Sequence, residues 1–84
     1  MGKPMKIWLR LYANFEEKMP LELEEDGSAG LELTQGALVK DVLDIYGIPH
    51  EEAYVILLDG RHAPKDTPLV DGAELCIFPA IVGG

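Results

Sequence analysis

The sequence predicts a single α+β domain in which one helix packs on one face of a mixed β-sheet. Three observations support this: an opening segment of strictly alternating apolar residues, one apolar stripe of helical period, and two later apolar runs of strand length. A lone helix must bury its stripe against another element, and the strands supply a sheet for it. A chain of 84 residues has room for one domain of this kind.

The opening strand is predicted over residues 5–12. Ile7, Leu9 and Leu11 share one face, and the opposite face is amphipathic, with Trp8, Arg10 and Tyr12. Six acidic residues then fall between Glu16 and Asp26, interrupted by Pro20. We therefore expect a hairpin with a long, solvated acidic connection and a return strand near residues 30–33.

The helix is predicted over Val39–Tyr46, where four apolar residues recur at helical spacing: Val39, Val42, Leu43 and Tyr46. Gly47 suits the position just past the helix end, and Pro49 prevents the helix from resuming. Asp41 suits the first turn electrostatically, but Leu38 at the expected N-cap has no side-chain acceptor.

Three further strands complete the predicted sheet. Residues 54–58 form a continuous apolar run that ends at the Asp59-Gly60 turn, and residues 61–63 follow as a short edge strand. The last strand covers residues 74–78 and is ended by Pro79.

Composition excludes several classes of function. Fifteen acidic against seven basic residues give a net charge of −8, which disfavours nucleic acid and anionic membranes and favours a partner with a basic surface. Cys76, His50 and His62 have no metal-ligand spacing, and no nucleophile–base pair is evident. A self-contained enzyme is therefore not expected. With one cysteine, no apolar run of membrane length and no signal peptide, the predicted location is cytoplasmic.

The C-terminal residues are the remaining candidate for chemistry. We predict a folded domain over residues 1–79 and a flexible tail over 80–84 that ends in Gly83-Gly84. Such a tail is open to two readings. It is either a frayed terminus without function or a reactive segment. In the second case the two glycines, which have no side chains, would let the tail enter a narrow channel and bring its carboxylate to a nucleotide's α-phosphate.

Several short motifs, in this order and spacing, resemble the ThiS/MoaD family of ubiquitin-like sulfur carrier proteins. They are Lys6–Leu11, Val39–Leu43, Gly47-Ile48-Pro49, Leu58–Arg61, Asp71-Gly72, Phe78-Pro79 and Gly83-Gly84. The resemblance implies a β-grasp (ubiquitin-like) roll whose four- to five-stranded sheet has the order 2-1-5-3-4.

The resemblance also implies a function for the tail. An adenylating enzyme related to ubiquitin activators, which holds ATP and Mg²⁺, would convert the Gly84 carboxylate into an acyl adenylate. Sulfur from a cysteine desulfurase or a rhodanese-type donor would then replace AMP and leave a thiocarboxylate. Gly83 would allow the close approach. The chain itself would bind no cofactor or metal.

Two pathways and two other functions remain open. Chain length and Phe78-Pro79 favour molybdopterin (molybdenum or tungsten) cofactor synthesis, with the large subunit of molybdopterin synthase as partner, although Ala80 stands where such carriers have a second proline. The Ile81–Gly84 ending is similar to thiamin-type carriers, which serve thiazole synthase. A ubiquitin-like modifier conjugated through Gly84 is a further alternative, and a plain binding module is the last.

Strand alternation also predicts which residues meet the partner. The face towards the helix would hold Ile7, Leu9, Leu11, Ile56, Leu58, Leu75 and Ile77. The opposite face would hold Trp8, Arg10, Leu57, Cys76 and Phe78, and so apolar a face is unusual if merely solvated. We therefore expect partner contacts at Phe78, Pro79, Ile81, Val82, Leu57 and Trp8. Alternatively, loops or the hairpin connection cover this face.

Overall fold

The computed structural model describes residues 3–20 and 22–80. In these ranges it has one α-helix, α1, and five strands, of which the last occupies a central position. The strands are β1 (Met5–Leu11), β2 (Ala29–Leu33), β3 (Ala53–Leu58), β4 (Arg61–His62) and β5 (Glu74–Pro79), and α1 covers Val39–Ile45. The sheet order is β2-β1-β5-β3-β4, which confirms the predicted mixed sheet and the order implied by the resemblance.

The centre of the sheet is a parallel pair. β1 pairs with β5 so that Leu9 lies opposite Leu75 and Leu11 opposite Ile77, and antiparallel β2 and β3 flank the pair. The inward residues of the two central strands are buried, as alternation predicts: Ile7, Leu9, Leu11, Leu75 and Ile77. Ile56 of β3 joins them, and half-buried Leu58 packs against the same core.

Helix α1 covers this inner face with its apolar stripe. Val39, Val42 and Leu43 are fully buried, and Tyr46 packs against the core from the end of the helix. Gly47 adopts a φ of +66°, which L-residues with a side chain rarely adopt. The Ile48 N–H donates to the Leu43 carbonyl at 2.9 Å, so the predicted glycine stop is confirmed as a Schellman-type end.

The start of α1 is satisfied by groups distant in sequence. The Val39 N–H donates to the Thr67 carbonyl at 3.0 Å, and the Lys40 N–H donates to the Lys65 carbonyl at 2.8 Å. The Leu38 N–H donates to the Asp41 carboxylate at 2.7 Å. The first backbone N–H groups of any α-helix have no acceptor within the helix, and the Leu38 side chain cannot provide one. Carbonyl oxygens of the loop at residues 65–67 accept these hydrogen bonds instead.

Besides shifts of one residue at several element ends, the structure differs from the predicted elements in the following details. Two short 3-10 segments, Ala13–Lys18 and His50–Glu52, were not predicted, because segments this short carry no periodic apolar signal. The final strand runs one residue further than predicted, through Pro79, which pairs with Ala53. The antiparallel pairing of β3 with β5 is irregular between Ala53 and Val55, where β3 carries one additional residue.

The β3–β4 hairpin follows the predicted Asp59-Gly60 turn. Both residues have positive φ, +52° for Asp59 and +83° for Gly60, as a two-residue type I′ turn requires. The Asp59 carboxylate also accepts the Glu74 N–H at 2.9 Å, which ties the turn to the start of β5. The predicted edge strand is therefore present, but it is limited to Arg61–His62.

Candidate functional site

The candidate site begins where β5 leads into the C-terminal tail. Because β1 and β5 are parallel, β5 ends at the same edge of the sheet as β1, beside the start of β3 at Ala53. The structure describes this path up to Ala80. The predicted reactive and tail-contact residues Ile81, Val82, Gly83 and Gly84 lie outside the described residues.

An aromatic pair marks this end of β5. The rings of Tyr12 and Phe78 stack with their centroids 4.2 Å apart and an interplanar angle of 8°. The Tyr12 N–H donates to the Ile77 carbonyl at 3.1 Å, so the backbone holds Tyr12 alongside β5. Both aromatic side chains are half-buried. The stack holds the Phe78 ring in one orientation at the residue that precedes Pro79.

The face of the sheet opposite α1, called the outer face below, contains the residues that alternation predicts. Its members are all half-buried: Trp8, Arg10, Leu57, Cys76 and Phe78. Leu57 pairs with Cys76, and Val55 pairs with Phe78. Alternation from Leu57 also places Val55 on this face, although Val55 was not among the expected contacts. Tyr12 was placed on this face but not among the expected contacts.

Part of the outer face is covered by the hairpin connection. One Asp26 carboxylate oxygen pairs with the Arg10 guanidinium at 3.0 Å, and the other accepts the Ser28 N–H at 3.0 Å and the Ser28 hydroxyl at 2.6 Å. A shallow groove beside this junction is lined by Trp8, Glu24, Glu25, Asp26, Ser28 and Glu74. The hairpin connection therefore contacts the outer face at Arg10 and lies across a groove from Trp8.

These contacts fix the charge state of the junction. The hydrogen bonds from the Ser28 hydroxyl and backbone, followed by that from Arg10, lower the pKa of Asp26 to about 2 from its ordinary 3.8. The Tyr12 side chain and Asp26 raise the pKa of Arg10. The anion and the cation are therefore both present throughout the neutral range.

Trp8 is packed by its own strand and by β2. The Lys6 ammonium lies 4.8 Å from the centroid of the indole ring, a cation–π contact. Across the strands Trp8 pairs with Gly30, where a Cβ atom would come within 3.0 Å of the indole and 2.7 Å of the Lys6 side chain. Glycine at position 30 therefore leaves the space that the indole and the Lys6 chain occupy.

Acidic residues flank the start of the tail on two sides. The 3-10 segment after β1 carries Glu16 and Glu17, and the one before β3 carries Glu51 and Glu52, all exposed. Because β1 ends and β3 begins at the edge where β5 ends, these four carboxylates lie at the tail end of the sheet. A basic surface is the complementary chemistry.

Other candidate ligands do not gather into a site. Among residues 3–20 and 22–80, no three His, Cys, Asp or Glu side chains are placed to hold a metal ion. His50 instead lies 2.8 Å from the Asp44 carboxylate, and Cys76 is a free thiol on the outer face. In the same part of the chain, no helix has the length and apolar character that crossing a bilayer requires.

The fold and the tail position define the class of protein. A sheet of order 2-1-5-3-4 with one helix on its inner face, in which the last strand is central and leads into the tail, is the ubiquitin-like β-grasp arrangement. The model of the ThiS family matches residues 14–84. The chain therefore belongs to the ThiS family, and the ThiS/MoaD resemblance is confirmed. Membership implies an adenylating enzyme and a synthase subunit as partners.

Solved structures share this fold. The HVO 2177 protein of Haloferax volcanii is 24% identical with a TM-score of 0.72, covering 96% of this chain and 88% of its own. A Pyrococcus furiosus protein provisionally assigned as molybdopterin converting factor, subunit 1, is 25% identical with a TM-score of 0.65, covering 92% and 99%. Small archaeal modifier protein 1 of H. volcanii is 22% identical with a TM-score of 0.64, again covering 92% and 99%. A search of curated proteins found no match.

The lowered pKa of Asp26 gives a pH-dependent prediction. A carboxyl whose pKa is lower in the folded than in the unfolded chain stabilises the fold above the unfolded value, and the effect is lost as the pH falls through the folded value. The difference in unfolding free energy between the native chain and Asp26→Asn should thus be constant above about pH 5 and shrink between pH 4 and 2. Urea denaturation at stepped pH measures it. An Asp26 carboxyl titrating near 3.8 by NMR would contradict it.

Proposed function

We propose that this chain is a sulfur carrier whose Gly84 carboxylate is activated as an acyl adenylate and converted to a thiocarboxylate. The observation that carries the proposal is the match to the ThiS family, which extends through residue 84. The position of β5 supports it, because a rigid central strand delivers the tail to one end of the molecule. On this proposal the chain is a carrier, and the partner enzymes perform catalysis.

The chemistry explains why a carrier of this size suffices. A carboxylate is a poor electrophile, so its oxygen first attacks the α-phosphorus of ATP, and pyrophosphate leaves. The terminal sulfur of a persulfide on a cysteine desulfurase or rhodanese-type donor then attacks the acyl carbon, and AMP leaves. A thiol next attacks the donor's own sulfur in the resulting acyl disulfide, which releases the thiocarboxylate and leaves a disulfide on the donor. The activating enzyme binds ATP and Mg²⁺ and stabilises the developing charge. This chain supplies the carboxylate and, at Gly83, a residue with no Cβ to obstruct the approach.

The partner contacts would follow the outer face towards the tail. Phe78 is fixed by its stack on Tyr12 and lies one residue before Pro79, and Leu57 lies on the neighbouring strand. Trp8 is the candidate contact that lies farther from the start of the tail. Ile81 and Val82 would contact the walls of the partner's channel. The carboxylates at the tail end would steer the chain towards a basic docking surface.

Molybdopterin cofactor synthesis is the pathway we favour, with the large subunit of molybdopterin synthase as acceptor. The similarity to the Pyrococcus furiosus protein assigned as molybdopterin converting factor, subunit 1, supports it. Thiamin thiazole synthesis, with thiazole synthase as acceptor, is the alternative that the name of the matching family favours. Conjugation to protein lysines is a second alternative, favoured by the likeness to small archaeal modifier protein 1.

The tail chemistry is tested by two variants and an adenylation assay. Deletion of Gly84 should abolish the release of pyrophosphate from ATP by the cognate activating enzyme, and Gly83→Ala should slow it, because the added Cβ obstructs the approach to the α-phosphate. Asp66→Asn, in the loop beside the start of α1, is the control and should match the native chain, because Asp66 is exposed and lies away from the outer face. Unchanged rates for the deletion variant would exclude both tail-based functions and favour a plain binding module.

The docking role of Phe78 is tested by calorimetry with the activating enzyme. Phe78→Ala should weaken binding by about 1–3 kcal/mol, roughly 5- to 150-fold in Kd, if the ring is buried in the interface. Ile45→Ala is the matched control, since Ile45 is an exposed apolar residue of α1, on the opposite side of the sheet. Equal affinities for native chain and Phe78→Ala, with circular dichroism unchanged, would place the contact elsewhere.

A further inference from the structure

Residues 22–28 of the hairpin connection, called the strap below, lie along the outer face near β1 and β2. The strap closes on itself through two hydrogen bonds, since the Glu24 N–H donates to the Ser28 carbonyl at 2.7 Å and the Gly27 N–H donates to the Glu24 carbonyl at 2.9 Å. Its side-chain attachment to the sheet is made through Asp26, which pairs with Arg10 of β1. The strap is thus a preformed turn fastened by one carboxylate.

The strap borders the Trp8 indole on the side of β2. The indole lies over Gly30, and the groove beside it has strap residues Glu24, Glu25 and Asp26 in its lining. A second groove brings Glu22, Leu23 and Glu24 together with Lys6 and Gly30, next to the same indole. The extent to which solvent or a partner reaches Trp8 therefore depends on where the strap lies.

We propose that Asp26 is a latch that holds the strap against the outer face and limits access to Trp8. The inference rests on the proposed function in one respect, because it concerns the face we expect to dock partners. One oxygen of Asp26 orders the turn through Ser28, and the other joins that turn to Arg10. Release of Arg10 frees the strap and exposes the indole.

The exposure of the ion pair makes the latch releasable. The side chains of Arg10 and Asp26 are 40% and 56% exposed, and ion pairs in contact with solvent contribute little stability and weaken in salt. The strap also carries Glu22, Glu24 and Glu25, whose charges this one contact does not neutralise. A partner surface rich in Arg or Lys can thus compete for Asp26 and open the strap as it docks.

The fluorescence of Trp8, the only tryptophan in the chain, reports the latch directly. Asp26→Asn should raise the Stern–Volmer constant for quenching by acrylamide and shift the emission to longer wavelength. Glu25→Gln is the matched control, because it removes one negative charge from the same strap and groove without touching Arg10 or Ser28. Its quenching and emission should equal those of the native chain.

Two further measurements test the latch even if the Asp26→Asn variant folds poorly. In the native chain, 0.5 M NaCl should increase the quenching of Trp8. At this salt concentration the Debye length falls to a few ångströms, so the exposed Arg10–Asp26 ion pair is weakened and the strap is released more often. Ser28→Ala, which keeps the Arg10 contact, should give a smaller increase than Asp26→Asn. Quenching that is insensitive to both salt and Asp26→Asn would overturn the latch, as would an equal increase in Glu25→Gln. The assay needs no partner, so it can fail while tail adenylation succeeds.

Discussion

The parallel pairing of β1 with β5 is the interaction on which the rest of the structure depends. It joins the first strand of the chain to the last, and it buries Leu9 against Leu75 and Leu11 against Ile77 beneath α1. Because the two strands run in the same direction, β5 ends beside the end of β1 rather than beside its start. The start of the tail, the Tyr12–Phe78 stack and the flanking acidic segments are consequently brought to one end of the molecule.

The opposite side of the same pair forms the outer face, and a single charged junction divides it. Near β2 the strap lies beside Trp8 and is joined to Arg10 by Asp26, whereas towards β3 the half-buried residues are Phe78, Val55 and Leu57. On the proposed function, the outer face would meet an activating enzyme, a sulfur donor and a synthase in turn. The part at Phe78 would be accessible throughout, and the part at Trp8 would become accessible when the strap is released. Acidic residues border both parts of the outer face, in the strap near Trp8 and in the two 3-10 segments at the end of β5 near Phe78. Both parts therefore favour a partner with a basic surface.

Much of this arrangement could be predicted from the sequence, and the exceptions share a cause. Strict alternation placed Ile7, Leu9 and Leu11 in the core, Gly47 ended the helix, and Asp59-Gly60 formed the hairpin turn, since each depends on local chemistry. The sheet order came from the resemblance. The carbonyls of Lys65 and Thr67 at the helix start, the additional residue in β3 and the strap on the outer face depend on contacts between distant segments, which periodicity does not encode.

The central claim is that the reacting group is the carboxylate on Gly84, exchanged for a thiocarboxylate. The most direct measurement is the intact mass of the chain after incubation with its activating enzyme, ATP and a sulfur donor. Replacement of one oxygen by sulfur should add about 16 Da. Because iodoacetamide alkylates both thiols and thiocarboxylates, the denatured product should take up two carbamidomethyl groups, on Gly84 and on the free Cys76 thiol, where the unreacted chain takes up one. An unchanged mass would contradict the account, and larger adducts with branched Gly-Gly remnants on lysine would assign the chain to protein modification instead.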